Sequence, residues 1–360
     1  MEPLKEMFNR KFYAKLGQEF HNAHTPFNPA AFVKDVTLNL ETLSLNQRMR
    51  NTSVVLQRHL PEDYSKTIHI MMKVIPNLNK GYTSLVFPDY VGLFGIEHFS
   101  VSMEALKFFT SFGSSEFAIR EFLKRDFKKT LQIMEGWSVD KDSHVRRLAS
   151  EGSRPRLPWS FKLEEVIHHP EATKAILENL KADEELYVQK SVANHLNDIS
   201  KDNPEYVLSQ VKKWDRSNEH TAWIIKRACR TLIRKGDNAS LAVFDYSKKV
   251  KVEVSELKLN SATIRLNDVL RFDFDLVSKA SVSQKLVIHY RIHYRKKSGG
   301  LSPKTFALKE ITLEPRASIK ISKHQRFEDF TTRKHFDGQH ILEILVNGKV
   351  MQAKKFMFRR

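Results

Sequence analysis

The residues of this 360-residue chain that could do chemistry gather in a few short stretches. The most unusual is Ser150-Glu-Gly-Ser-Arg-Pro-Arg-Leu-Pro-Trp159. It continues a segment, residues 142–150, that reads as a helix capped by Asp142 and closed by Gly152. Glu151 then stands at a helix C-terminus, where the backbone dipole disfavours negative charge. Such a carboxylate needs a compensating cation, and Arg146, Arg147, Arg154 and Arg156 are all near in sequence. Two prolines stiffen the loop. Arginines alternating with them ahead of Trp159 suit phosphate contacts and base stacking. A solvated loop with a surface salt bridge is the plainer alternative.

Two further acids belong to the same reading. Glu116 falls in the first turn of a helix expected to start near Ser114, where an acid complements the dipole. Asp198 shares a polar stripe with Ser191 and Asn194, at three- and four-residue steps, beside an apolar face of Val188, Val192, Leu196 and Ile199. That stripe is either solvated or a binding face. Trp137, Trp214 and Trp223 read as packing residues. The pair His168-His169 reads as surface loop rather than metal ligand. His289 and His293 share one face of an expected strand, and exposed sheet surface is the expectation there. A glycine-rich phosphate loop, HExxH, CxxC and GxSxG are all missing. Neither a metal nor a cofactor is expected.

The elements that must position these residues change character along the chain. Residues 1–235 read as helical, with residues 32–49 placing Phe32, Val36, Leu40 and Leu43 on one helical face. A pattern recurs in which a β-branched residue precedes a small or branched one by four, with Lys or Arg close by. Val145/Ala149, Val188/Val192 and Ile224/Ala228 are the clearest cases. Their spacing suits two-helix repeats of roughly 40 residues, stacked with a concave face, although an ordinary bundle is an alternative. From about Lys249 the texture becomes period-two. Segments 251–257, 270–276, 286–294, 311–313, 317–321 and 340–346 read as strands, and Asn347-Gly348 as a hairpin turn. Some seven strands suggest an immunoglobulin-like sandwich, with a small barrel as the alternative. The boundaries expected are 1–240 and 245–360.

Charge follows the same division. The net charge is +18, and the stretch from Asp245 onward holds 25 Lys and Arg against 12 Asp and Glu. A polyanionic partner is the expectation, and its phosphates would fall to the C-terminal part. The single cysteine, Cys229, excludes an intramolecular disulfide framework and fits a reducing cytoplasm. The N-terminus lacks the apolar core of a signal peptide, and no stretch is apolar enough to span a bilayer, so no membrane partner is expected.

Ser115-Glu-Phe-Ala-Ile-Arg120, His144-Val-Arg-Arg-Leu-Ala-Ser-Glu-Gly-Ser-Arg-Pro-Arg-Leu-Pro-Trp159 and Ser191-Val-Ala-Asn-His-Leu-Asn-Asp-Ile-Ser-Lys-Asp202 together resemble the AlkC family of bacterial DNA alkylation-repair glycosylases. The likeness runs through the helical region with the motifs in order, and the basic β tail resembles the members that carry an immunoglobulin-like domain. Many members have proline after the first arginine, where this chain has Glu121. The resemblance implies a multidomain protein, an all-α HEAT-like repeat solenoid related to AlkD followed by an all-β immunoglobulin-like sandwich. It implies excision of 3-methyladenine and 3-methylcytosine from double-stranded DNA without full base flipping. It puts the functional acids at Glu116, Glu151 and Asp198, with Arg147 and Trp159 as neighbours. Arg154, Arg156, Lys190 and Asn194 join these two as expected DNA or lesion contacts. A monomer is the simplest expectation. The rival readings are a non-enzymatic scaffold for nucleic acid or protein, which has no use for carboxylates in a phosphate-facing groove, and a base-flipping glycosylase of another class.

Overall fold

The computed structural model describes residues 3–247, 249–330 and 334–360. Helices fill the chain up to Asn238–Val243, and strands follow from Val252–Val254. By compactness the chain forms two units, Met1–Asn203 with Trp214–Ala228, and Pro204–Lys213 with Cys229–Arg360. The helices Pro204–Val211, Arg230–Lys235 and Asn238–Val243 therefore fall in the second unit. No helix among the described residues is long and apolar enough to cross a membrane.

In the first unit, many helices start where an Asn or Asp side chain accepts a backbone N–H of the first turn, as at Asn9, Asn28, Asp63 and Asp126. Residues 32–49 are not one helix. The helix Pro29–Val36 stops, Asn39 takes a left-handed φ of 57°, and Ser44 with Gln47 forms a capping box that starts Leu45–His59. The apolar period runs across this break because the short turn Leu40–Thr42 still buries Leu40. The expected repeats are present. Helices Ser143–Gly152, Leu186–Ile199 and Glu219–Ala228 pack one against the next, and each buries its signature pair completely or nearly so.

The strands of the second unit are β1 (Val252–Val254), β2 (Lys258–Leu259), β3 (Thr263–Arg265), β4 (Val269–Ser278), β5 (Gln284–Arg295), β6 (Leu301–Leu313), β7 (Ser318–Arg326), β8 (Gly338–Val346) and β9 (Lys349–Arg359). Two sheets form, one with β1, β2 and β7 all paired to β4, the other in the order β3-β9-β8-β5-β6. Leu270, Phe272, Phe274 and Leu276 of one sheet share a core with Leu286, Ile288, Tyr290 and Ile292 of the other. This is a sandwich of alternating inward residues. Asn347 and Gly348 take φ of 47° and 79° and close the β8–β9 hairpin. A Cβ on Gly348 would lie 2.1 Å from the Cα of Gly236, so the turn and the end of helix Arg230–Lys235 meet backbone to backbone.

His289 departs from the surface expectation. It is buried, and burial with Arg234 and Arg291 nearby pushes its pKa down to about 4. The bulge opposite it lies in β6, which has Leu308 as an extra residue, while β5 keeps its alternation; His289 is on the face away from the sandwich core, where Val287 is buried as well. His293 remains part-exposed and pairs with Glu343 at 3.0 Å. His168 and His169 are exposed, but His168 ends the helix Glu164–His168 rather than lying in a loop.

Candidate active site

Three segments of the first unit bring the acids together. Glu116 lies in the turn just ahead of helix Ala118–Arg125, not inside its first turn. Glu151 lies in the last turn of helix Ser143–Gly152, whose Asp142 cap accepts the His144 N–H at 2.8 Å. Asp198 lies near the end of helix Leu186–Ile199. Glu151 and Asp198 are buried, at 5% and 3% exposure.

Arginines alternate with these acids. Arg147 Nη1 donates to Glu116 Oε2, and its Nη2 sits 3.5 Å from Glu151 Oε1. Arg154 Nη1 donates to the same Glu151 oxygen. Arg154 Nε and Nη2 both donate to Asp198 Oδ2, at 2.8 and 2.6 Å. Lys201 Nζ closes the row on Asp198 Oδ1 at 2.7 Å. The result is a ladder, Glu116–Arg147–Glu151–Arg154–Asp198–Lys201, with the sign alternating at each rung. Two hydroxyls fix its acids: Ser191 Oγ donates to Glu151 Oε2 at 2.6 Å, and Ser114 Oγ to Glu116 Oε2 at 2.8 Å. Burial alone would lower the Arg154 pKa, but the facing Glu151 and Asp198 carboxylates outweigh it and hold the group above its usual value.

Arg154 is thereby, with Arg147, one of the cations expected to compensate Glu151. Its guanidinium is 7% exposed as a residue and committed to two carboxylates, because two acids this deep need a cation between them. Arg146 turns to Asp183 instead, through Nε at 2.6 Å and Nη2 at 3.1 Å. Arg156 makes a two-pronged pair with Asp202 at 2.9 and 2.7 Å on the part-exposed surface. Gly152 is also corrected. It is the last helical residue rather than a left-handed cap, and a Cβ there would lie 2.5 Å from Ile119 Cγ2. The glycine lets two helices approach at the point where Glu151 must be placed.

Lys190 is exposed, Asn194 is half-buried, and Trp159 is 85% exposed with a left-handed φ of 65°. Trp159 stands at the rim of a cavity rather than within the ladder. Trp137 and Trp214 are buried, and Trp214 donates to Glu178. Trp223 is half-buried under Arg227.

Several contributors were not singled out from sequence. Tyr187 is 43% exposed, and the Arg147 guanidinium lies over its ring at 4.8 Å. Burial raises the Tyr187 pKa against the pull of Arg147, with Glu116 and Glu151 adding to the rise. Arg120 is fully buried and donates to the carbonyls of Gly152, Arg154 and Phe161, so it staples the loop after Glu151 into place. Burial, with Arg154 nearby, lowers its pKa to about 10. His195 is wholly buried, with Nδ1 at 3.0 Å from the Ser150 carbonyl, and burial pushes its pKa down to about 3. The Ser191 position was visible in the polar stripe; Tyr187, at the exposed start of its helix, carried no sequence signal.

Comparison with known proteins places the chain. Residues 107–232 match the family described as DNA alkylation repair enzyme, and residues 253–360 match the C-terminal Ig-like domain of the uncharacterised protein YhaZ. The chain is 38% identical over 359 residues to the uncharacterized protein YhaZ of Bacillus subtilis (strain 168), covering 99% of each. It is similar in structure to the alkylpurine DNA glycosylase AlkC of Pseudomonas fluorescens, which was solved bound to DNA containing an abasic site analogue. That similarity has a TM-score of 0.95 and 44% identity, with all of both chains covered. The chain belongs to the AlkC family. As an AlkC-family protein it combines the helical repeats and the Ig-like domain in one chain, and its ladder residues all lie in the helical unit.

Proposed function

We propose that this chain is a monofunctional DNA glycosylase of base excision repair that releases cationic N3-methylated bases, 3-methyladenine and 3-methylcytosine, from double-stranded DNA. The observation that carries the proposal is the gathering of Glu116, Glu151 and Asp198 from three segments into one ladder of alternating charge, with Glu151 and Asp198 buried and Glu116 half-buried. A pure binding scaffold gains nothing from three acids held in this way.

The chemistry follows from charge. N3-methylation makes the base cationic and thus a good leaving group, so no strong general acid is needed. The barrier lies in the positive charge that develops on the sugar. Carboxylates fixed in advance by arginines and hydroxyls stabilise that charge without having to reorganise, and one of them holds the attacking water. The substrate then needs no complete extrusion from the helix. The basic C-terminal part supplies phosphate contacts, and the chain acts as a monomer in the cytoplasm.

The test is release of free base from methylated duplex DNA by the purified protein in EDTA, with Glu151→Gln alongside. Release of 3-methyladenine or 3-methylcytosine by wild type, slowed at least about 100-fold in the variant with DNA binding retained, is expected. No release of any base, with DNA binding intact, would leave a scaffold.

A further inference from the structure

The ladder chemistry leaves one buried titratable group beside it unused, the imidazole of His195. Three side chains on one face of helix Leu186–Ile199, at steps of four and three residues, meet the end of helix Ser143–Gly152 and the loop after it. Ser191 Oγ donates to Glu151 Oε2 at 2.6 Å, and Asp198 Oδ2 accepts from Arg154 at 2.8 and 2.6 Å. His195 lies between them, wholly buried, with Nδ1 3.0 Å from the Ser150 carbonyl oxygen. Its Nε2 is 3.3 Å from Thr173 Oγ1. A carbonyl only accepts, so Nδ1 carries the proton and Nε2 takes the Thr173 hydroxyl. Burial disfavours the charged form and keeps the ring neutral. Ser150 stands in the last helical turn, where carbonyls run out of backbone partners. The Arg154 N–H goes to the Glu151 carbonyl at 3.3 Å, and Ser153 Oγ reaches the Ser150 oxygen only at 3.3 Å.

We propose that His195 is a positioning residue for base release, acting through the Ser150–Glu151 peptide to hold the Glu151 carboxylate in the ladder. The role rests on the glycosylase reading. The Ser150 carbonyl and the Glu151 nitrogen belong to one planar unit. A hydrogen bond on that oxygen therefore fixes the plane from which Glu151 departs. Ser191 fixes the carboxylate end of the same residue, so one helix pins Glu151 at its backbone and at its tip. Asp198 belongs to that helix too, and the seam that His195 closes thus sets how Glu151 and Asp198 face Arg154 together. Glu151 needs the restraint, because the dipole of its own helix disfavours a negative charge there. A carboxylate that answers a developing positive charge works best when it is held before the reaction begins. Misplacing such a group by about 1 Å costs up to roughly 100-fold in rate.

The test uses the full chain. NMR of the imidazole nitrogens at neutral pH, with the His195 signal assigned by its loss in His195→Asn, should show Nδ1 protonated and Nε2 bare. The opposite tautomer would overturn the proposal without reference to activity. Single-turnover release of 3-methyladenine from duplex DNA is then followed with protein in excess, in conditions where urea unfolding shows every variant folded. His195→Leu, which loses the donor, should slow release roughly ten-fold with DNA affinity unchanged. His195→Asn, whose amide nitrogen stands where Nδ1 stood, should recover most of that rate. In a Glu151→Gln background His195→Leu should slow release by less than about two-fold, since the group it positions is already gone. A His195→Leu rate equal to wild type would overturn the proposal. So would the same slowing with and without Glu151, since His195 would then act on the fold at large. A wild type that releases no base would instead sink the glycosylase reading, and with it any part His195 has in the reaction.

Discussion

The guanidinium of Arg147 lies over the ring of Tyr187, 4.8 Å from its centroid, and reaches Glu116 and Glu151 from that position. The ring also meets His144 edge-on at 5.6 Å. Tyr187 therefore restrains the cation that links Glu116 to Glu151. A contact of this kind is worth about 0.5–1 kcal/mol. Tyr187→Leu is expected to slow single-turnover base release roughly two- to five-fold, whereas Tyr187→Phe, which keeps the ring, should stay near wild type. Equal rates in all three proteins would show that Arg147 needs no such support.

Arg154 stands between two buried carboxylates, so its loss removes a cation from both and leaves Glu151 only the longer Arg147 contact and Asp198 only Lys201. Arg154→Met is expected to cost about 3–5 kcal/mol of stability, read from the urea midpoint. Adding Asp198→Asn should return part of that loss, because one of the stranded charges disappears.

Gly152 and Ile119 form a steric pair. Gly152→Ala places a methyl 2.5 Å from Ile119 Cγ2, with Met134 Cε also close at 3.1 Å. A loss of about 1–3 kcal/mol is expected. In combination with Ile119→Ala the two costs should fall short of additivity, since the cavity made by one accepts the methyl of the other. Strict additivity in a thermal or urea series would refute the contact.

His195 gives the stability a pH dependence of known sign. Burial and then Arg154 hold its pKa near 3 in the fold, against an ordinary value near 6.5 when unfolded. The unfolded chain therefore binds more protons between those values. Stability is fully present above about pH 6.5 and falls as the pH drops through that window, at up to about 1.4 kcal/mol per pH unit. His195→Gln should reduce the slope of urea midpoint against pH between 4 and 6 by about one proton. His289, near 4, adds a second contribution that this variant leaves in place.

The two-part architecture could be read from hydrophobic period, because both helices and strands here bury one face and expose the other. Period alone misled at residues 32–49, where the apolar rhythm crosses a left-handed Asn39; the Ser44–Gln47 pair was the visible sign of the break. The three acids could be named, but not the direction of the cations around them. Arg154 and Arg156 alternate with proline in sequence and look alike, yet one turns into the protein toward Asp198 and the other meets Asp202 at the surface. That choice depends on residues more than forty positions away, which no local pattern encodes. Gly152 was read as a helix stop because glycine often serves there, while its use is the approach of Ile119, a tertiary contact. His289 alternates like a surface residue and does lie on the face away from the sandwich core, but that outer face is itself buried at Val287 and His289, near Arg234.

The ladder's three carboxylates face three cations, so the group as a whole is electroneutral. A neutral array repels neighbouring phosphates far less than three bare acids would, and a polyanion can be brought against it without a Coulomb barrier. Its internal field acts over a few ångströms, shorter than the screening length of physiological salt, about 8 Å. Added salt should therefore weaken association, which depends on the excess positive charge elsewhere in the chain. It should leave the rate of the bond-breaking step in the assembled complex almost constant, so that ionic strength separates capture from chemistry.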